Sequence, residues 1–148
     1  MTTEEPLTLS VRNNHGRCLL CGDRNPWSLR LSFQPDGEGT VETRFTGHGG
    51  LQGYDGMLHG GVIAALLDAA MTHCLFHQGI QAVTGDLHVR YLHAVPCDAD
   101  LEIRSRVTAS HPPLYRLEAQ ILVGGRVAAW SEAKFVRRRK RPGKADRG

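Results

Sequence analysis

The segment that decides the fold spans residues 53–79 and reads GYDGMLHGGVIAALLDAAMTHCLFHQG. Its second part repeats apolar side chains with the spacing of one helical face, at positions 63, 66, 67, 70 and 74. This pattern predicts one long helix from His59 to about His77, which Gly79 ends. The alanines at positions 64, 65 and 69 keep the other faces of the helix narrow, so a sheet can wrap closely around it.

The sequence on both sides of this helix alternates between apolar and polar residues, which is typical of strands. Two strands are predicted before the helix, at Ser28–Phe33 and Thr40–Phe45, joined by a turn at residues 35–37. Four are predicted after it: Ala82–Ala94, Asp100–Ala109, Leu114–Val123 and Arg126–Val136. The order predicts an α+β fold, in which one curved antiparallel sheet wraps around a single central helix. The edge strands of such a sheet can pair with a second copy of the chain.

The length and composition indicate a single ordinary domain. The chain has 148 residues, of which 41% are apolar and 22% charged, and this balance argues against disorder. No apolar run reaches the roughly 18–20 residues of a membrane helix, and no secretory signal is visible, so we expect a cytoplasmic protein without membrane contact.

The positive charge is concentrated at the C-terminus. Residues 137–148 hold seven of the 18 Lys and Arg residues against one Asp, so the rest of the chain is mildly acidic. Because no aromatic residues are interleaved with these charges, we do not expect nucleic-acid binding. We predict a flexible N-terminus at residues 1–14, one folded domain at 15–136 and a basic disordered tail at 137–148.

The pair Cys18 and Cys21 has metal-ligand spacing, and His15 lies three residues before it. A closed zinc site needs four ligands, and His48 supplies the last one only if the fold brings it close. We therefore interpret the pair as half-buried thiols in a turn closed by Gly22, and keep structural zinc as the alternative. The chain has two other cysteines, Cys74 and Cys97.

Two histidines near the end of the predicted helix, His73 and His77, stand four positions apart. That spacing would suit a metal pair, but no third ligand is evident. We interpret them as a polar helix end, and the sequence predicts no bound metal.

The start of the helix offers a place for catalysis. The first N–H groups of a helix have no intrahelical partner and carry a partial positive charge. Gly60 and Gly61 let a substrate approach the main chain, where the Gly60 N–H could stabilise an oxyanion. The alternative is a tight turn that needs glycine for packing.

Asp68 is the one acidic residue between Met57 and Gln78. It is either a solvated helix position or a positioned base. Gly60 lies eight residues before it, which is ~12 Å along a helix. One carbonyl and one attacking water cannot bridge that distance, so a joint site requires two chains whose helices lie antiparallel.

At this point the sequence resembles a known family. Residues 58–61 read LHGG, Asp68 follows nine positions after the His, and residues 83–84 and 89–92 match the strand that follows in that family. The chain is similar here to the hotdog-fold acyl-CoA thioesterases of the PaaI-like branch. The CxxCG lead-in at residues 18–22 also resembles one bacterial group of them.

The resemblance implies a role for each matching catalytic position. Gly60 would donate its N–H to the thioester carbonyl, and Asp68 of the partner chain would act as general base on water or as nucleophile. Thr84 would orient the water or the carboxylate, and His59 would fix the loop and help hold the thioester. The candidate substrate-binding positions are Gly61, Gly53, Tyr54, Met57 and Leu58. Gly53 departs from the family, whose members often have Asn or Gln there.

The function implied is hydrolysis of an aliphatic or aromatic acyl-CoA to the free acid and CoA, by a homodimer or a dimer of dimers. No metal or redox cofactor is expected, and CoA would be part of the substrate. Two alternatives remain open: a non-catalytic acyl-CoA or lipid-binding protein on the same fold, and a dehydratase acting on 3-hydroxyacyl thioesters.

Overall fold

The computed structural model describes residues 15–37 and 39–138. The predicted flexible N-terminus at 1–14, and the predicted basic tail beyond residue 138, lie outside the described residues. Across the part of the chain that is described, no helix has both the length and the hydrophobicity needed to cross a membrane.

The fold consists of one α-helix and six strands. The helix, α1, spans Gly60–Phe76. The strands are β1 (Gln34–Pro35), β2 (Thr40–Thr46), β3 (Ala82–Tyr91), β4 (Asp100–His111), β5 (Leu114–Val123) and β6 (Arg126–Arg137). A short 3-10 turn at Gly49–Leu51 precedes the helix.

All six strands form one antiparallel sheet in the order β1-β2-β4-β5-β6-β3. Helix α1 packs against the middle of this sheet, with β4, β5 and β3 as its main neighbours. The core lies between them, and its largest fully buried side chains include Tyr115, Phe33, Phe135 and Leu66. The predicted architecture, one antiparallel sheet around a single helix, is confirmed.

The predicted helix is confirmed to within one residue at each end. All five residues of its predicted apolar stripe are buried: Ile63, Leu66, Leu67, Ala70 and Cys74. His59 caps the N-terminus with its side chain, and Gly79, with a φ of 74°, follows the C-terminus in the left-handed conformation that glycine adopts at least cost.

The predicted turn at residues 35–37 is found, and a second tight turn joins the strands β5 and β6. Gly124 and Gly125 join β5 to β6 with φ values of 56° and 81°, as a tight two-residue turn requires. The turn after Pro35 is closed by the Asp36 N–H, which donates to the Thr40 carbonyl oxygen at 2.9 Å.

The predicted strand at Ser28–Phe33 is wrong, since the first strand is only Gln34–Pro35. The N–H groups of Leu29 and Leu31 donate to the carbonyl oxygens of Leu19 and Leu20 at 2.9 Å instead of to a neighbouring strand. Arg30 between them has a φ of 53°, which breaks the extended conformation. The alternation still predicted the buried side chains correctly, since Leu31 and Phe33 lie in the core.

Candidate active site

The carboxylate of Asp68 is held by Thr84. Asp68 lies on the face of α1 that the sheet leaves half-buried, and the Thr84 hydroxyl donates to its Oδ1 at 2.5 Å. No hydrogen bond to Oδ2 is formed by the residues that the structure describes. One oxygen of the acid is therefore fixed while the other is available to a water molecule.

The strand carrying Thr84 is irregular at this point. The register between β3 and β6 shifts between Thr84 and Asp86, which marks a bulge at Gly85. A bulge bends a strand and redirects its side chains, and bulges are frequent next to active sites. A glycine inside an alternating stretch is a sequence signal for such a bulge, and it was present here.

The environment makes Asp68 a stronger base. Burial raises the pKa of its carboxyl above the ordinary value of 3.8, the Thr84 hydrogen bond opposes part of this rise, and the negative charge of Cys18 adds to it. A carboxylate with a raised pKa accepts a proton from water more readily, which suits a general base.

Gly60 offers an unpaired N–H at the start of the helix. The His59 side chain caps the helix by accepting a hydrogen bond from the Gly61 N–H at Nδ1, over 2.8 Å. The N–H groups of Val62 and Ile63 both donate to the His59 carbonyl oxygen. Among the described residues, the Gly60 N–H has no such acceptor, so it is the free donor of this helix end.

Tyr91 belongs to the same region, although the sequence analysis did not assign it a role. Its hydroxyl donates to the Gly60 carbonyl oxygen at 2.8 Å and so ties the end of β3 to the first turn of α1. The contact joins residues 31 positions apart in the chain, so no local sequence pattern predicts it. Tyr91 therefore helps to fix the peptide groups around Gly60.

The predicted substrate-binding positions in the loop before the helix differ from one another in burial. Tyr54 and Met57 are exposed, while Leu58 is buried in the core. A side chain at Gly53 would begin 3.4 Å from the Cα of His59. Gly53 therefore lies against the capping histidine, and the neighbouring Gln52 does not replace a polar group there, because its Oε1 accepts from the Gly56 N–H.

Asp68 and Gly60 are not brought together within one chain. Both lie on α1, eight residues apart, and a continuous helix separates them by ~12 Å. The structure thus shows two half-sites along one helix. Asp68 contacts Thr84 in the first, and Gly60 lies beside His59 and Tyr91 in the second.

The lead-in segment brings a histidine and two cysteines together. The ligand atoms of His15, Cys18 and Cys21 all lie within 4.8 Å of one another, whereas the predicted completing residue, His48, is outside this group. His48 instead accepts a hydrogen bond from the Gly50 N–H. Hydrogen bonds from Cys21 and His15 hold the pKa of Cys18 far below its usual range, against the effect of burial.

The prediction of a polar helix end at His73 is wrong. Its side chain is 5% exposed and stacks on Phe33 with a centroid distance of 4.8 Å. Phe76 meets it edge-on at 5.2 Å. The lead-in segment covers this face of α1, which the helical pattern alone could not show. Burial, followed by the charges of His15 and His77, lowers the pKa of His73 to about 4.

One family model matches part of the sequence. The family model of the thioesterase superfamily matches residues 55–110, which include α1, β3 and most of β4. Among curated proteins, none matches the sequence.

Solved structures resemble the whole domain. A thioesterase superfamily protein is 25% identical over 78% of this chain, with a TM-score of 0.73, and this chain spans only 60% of its length. The PaaI protein of Escherichia coli, from the phenylacetic acid degradation operon, is 16% identical, covers 90% of this chain and 95% of its own, and has a TM-score of 0.73. A hypothetical thioesterase of Streptococcus pneumoniae was solved with coenzyme A and is 20% identical. The match covers 75% of this chain and 90% of that protein, with a TM-score of 0.69.

The sheet around a single helix, the superfamily match over part of the chain and the structural likeness to PaaI agree with one another. The chain has the hotdog fold, is similar in structure to PaaI, and matches the thioesterase superfamily model over residues 55–110.

Proposed function

We propose that the protein hydrolyses acyl-CoA thioesters. The observation that carries this proposal is the geometry of Asp68, a half-buried carboxylate that Thr84 fixes at Oδ1 and that accepts no hydrogen bond at Oδ2 from the residues the structure describes. Asp68 removes a proton from water, and the resulting hydroxide attacks the thioester carbonyl carbon. A new C–O bond forms, and the C–S bond then breaks to release the acid and CoA, whose thiolate takes up the proton.

The oxyanion formed in this step needs a donor, and the Gly60 N–H is suited to it. A preorganised N–H directed at a developing oxyanion stabilises the transition state without reorganisation. Because Gly60 and Asp68 of one chain are ~12 Å apart, we assign the two groups of each site to different chains of a homodimer.

The edge of the sheet supports such a dimer. Strand β3 is an edge strand of the sheet, and Val83 and Tyr91 on it are 52% and 53% exposed, with Leu92 beyond its end. An open edge with exposed apolar side chains favours pairing with a second copy. A two-fold axis beside β3 would also bring the exposed face of α1 near its symmetry mate.

Two features of the Streptococcus pneumoniae thioesterase structures bear on this assignment. That protein was solved with coenzyme A, which supports CoA as the thiol here. It was also solved with an aspartate and with a threonine replaced by alanine, and these two residues stand 16 positions apart. Asp68 and Thr84 have the same separation.

Release of free thiol from a panel of acyl-CoAs tests the proposal. We expect hydrolysis of at least one short aliphatic, long aliphatic or aromatic acyl-CoA, and a dimer or dimer of dimers in sedimentation. Tight binding of the panel without thiol release would instead assign a non-catalytic acyl-CoA carrier. Loss of water from 3-hydroxyacyl-CoA without thiol release would assign a dehydratase.

The pH dependence provides a more specific prediction. The base acts only when it is deprotonated, so the rate falls as the pH drops through the raised pKa of Asp68. Replacing Thr84 by valine removes the hydrogen bond that lowers this pKa. We therefore expect Thr84→Val to move the acid limb of kcat/KM to higher pH.

Thr84→Ser is the matched control, because it keeps the hydroxyl and should keep the wild-type profile. The pH profiles of the two variants and the wild type are compared with one substrate. An acid limb that does not move in Thr84→Val would separate Thr84 from the ionisation of the base.

A further inference from the structure

The segment before β1, residues 15–33, contains a tight turn that carries side chains of the types that bind metals. His15, Cys18 and Cys21 follow one another at intervals of three residues, and the Cys18 N–H donates to the His15 carbonyl oxygen at 3.0 Å. The Gly22 N–H closes the turn on the Cys18 carbonyl oxygen at 2.9 Å. A Cβ at Gly22 would lie 2.6 Å from main-chain atoms of Cys18 and Gly16, so only glycine fits this turn.

The side chains converge at distances that suit a tetrahedral metal. Zinc binds thiolates at about 2.3 Å and imidazole at about 2.0–2.1 Å, which sets neighbouring ligand atoms roughly 3.3–3.8 Å apart. The three ligand atoms lie within 4.8 Å of one another, and Cys21 Sγ is 3.6 Å from His15 Nδ1. The Leu20 N–H donates to Cys18 Sγ at 3.4 Å, which favours the thiolate form of that sulfur.

We propose that His15, Cys18 and Cys21 bind one zinc ion, with His73 of α1 as the fourth ligand. Two thiolates and an imidazole select zinc over the hard cations that prefer oxygen. This site shares no residue with the hydrolytic groups, although the charge of Cys18 acts on Asp68, and the proposal does not depend on the proposed function.

An orphaned nitrogen on the helix supports His73 as the fourth ligand. Its Nε2 is buried and has no hydrogen-bond partner in the described part of the chain. His73 is not in the group of ligand atoms that lie within 4.8 Å of one another, and its ring centroid is 6.5 Å from that of His15 with the planes at 75°, so the His73 ring has to move closer for all four residues to bind one ion. A buried imidazole nitrogen without a partner is costly, and a metal bond would remove that cost. Asp23 Oδ1 is the other buried side-chain atom without a partner among the described residues, so Asp23 is the alternative ligand to test.

The zinc would attach the lead-in to the helix. Between residues 15 and 33 no helix or strand is formed, so this stretch depends on turns and side-chain packing. One packing contact is the edge of His15 against Phe76, at a centroid distance of 4.7 Å. A metal that links residues 15–21 to His73 would act as a clip over α1, and its binding free energy would add to the stability of the fold.

The test is the zinc content of untagged protein, purified with reductant and without chelator. We expect about one zinc per chain, lost in Cys18→Ser and Cys21→Ser and kept in Cys97→Ser, which serves as the matched control outside the cluster. Cobalt reconstitution should give sulfur-to-cobalt charge-transfer absorption in the wild type and in Cys97→Ser. It should be weakened in the two cysteine variants of the cluster.

A measurement on the wild type covers the case in which the variants do not fold. Removal of zinc by a chelator should lower Tm by at least about 5 °C, and added zinc should restore it. Wild-type protein that contains no metal, binds no added zinc and has the same Tm in its presence would overturn the proposal. So would an intact mass showing that Cys18 and Cys21 have lost two hydrogen atoms to a disulfide.

The fourth ligand is tested separately. His73→Leu should retain the two sulfur ligands but lose zinc to a weak chelator faster than the wild type does. Asp23→Asn should behave like the wild type. If Asp23→Asn loses zinc faster and His73→Leu does not, the assignment of His73 is overturned in favour of Asp23.

Discussion

Replacing Asp68 by asparagine is expected to lower kcat for thioester hydrolysis by ~100-fold or more. Asparagine keeps the size of the side chain, and its carbonyl oxygen can still accept the hydrogen bond from Thr84. It cannot take a proton from water, so only the base is removed. The measurement is kcat and KM with the best acyl-CoA of the panel.

The same substitution should not weaken the fold. Burial raises the pKa of Asp68 in the folded state, so the folded protein binds this proton more tightly than the unfolded chain does. Stability from this group is present at low pH and is lost as the pH rises through the raised pKa. At pH 7 the charged carboxylate therefore opposes folding, and Asp68→Asn should have a Tm equal to or above that of the wild type. An inactive variant with a much lower Tm would point to a structural role for Asp68.

Replacing Gly60 by proline should remove the oxyanion donor and lower kcat by roughly 100- to 1000-fold. Proline has no N–H, and the first position of a helix is where it is tolerated best, because that N–H has no intrahelical partner. The preceding residue already suits it: His59 has φ −60° and ψ 134°, within the range preferred before proline.

Gly60→Ala is the matched control for this variant. The added Cβ would lie 3.6 Å from the Tyr91 ring, an ordinary contact, and the N–H remains. We expect Gly60→Ala to keep most of the activity and both variants to keep the circular dichroism of the wild type. A Gly60→Pro enzyme with the wild-type kcat, or with a loss confined to KM, would exclude Gly60 as the oxyanion donor.

The central elements were predictable because their signals are local. The apolar spacing from Ile63 to Cys74 predicts the helix. Gly79 and the pair Gly124–Gly125 have positive φ values, which glycine adopts at least cost. The stretch at Ser28–Phe33 shows the limit of such reasoning. Its alternation reflects which side chains are buried. The N–H groups of Leu29 and Leu31, however, donate to the carbonyl oxygens of residues 19 and 20, and the alternation does not predict those acceptors.

The site was predictable where the chemistry requires a residue type, and less so where it depends on packing. Asp68 stood out as a lone acid on an apolar helix, and its bond to Thr84 appears only when β3 is placed beside α1. Tyr91 and His73 were missed or misplaced, because each owes its environment to residues distant in sequence. The roles of all these residues in catalysis stay predictions.

The most direct test of the central claim is to mix two inactive variants, Asp68→Asn and Gly60→Pro, and allow their subunits to exchange. If each site takes Asp68 from one chain and Gly60 from the other, every mixed dimer has one site with both groups intact and one with neither. Random exchange should then recover about a quarter of the wild-type rate, while each variant treated alone stays inactive. Mixed dimers that form, as native mass spectrometry would show, and yet recover no activity would contradict the shared site.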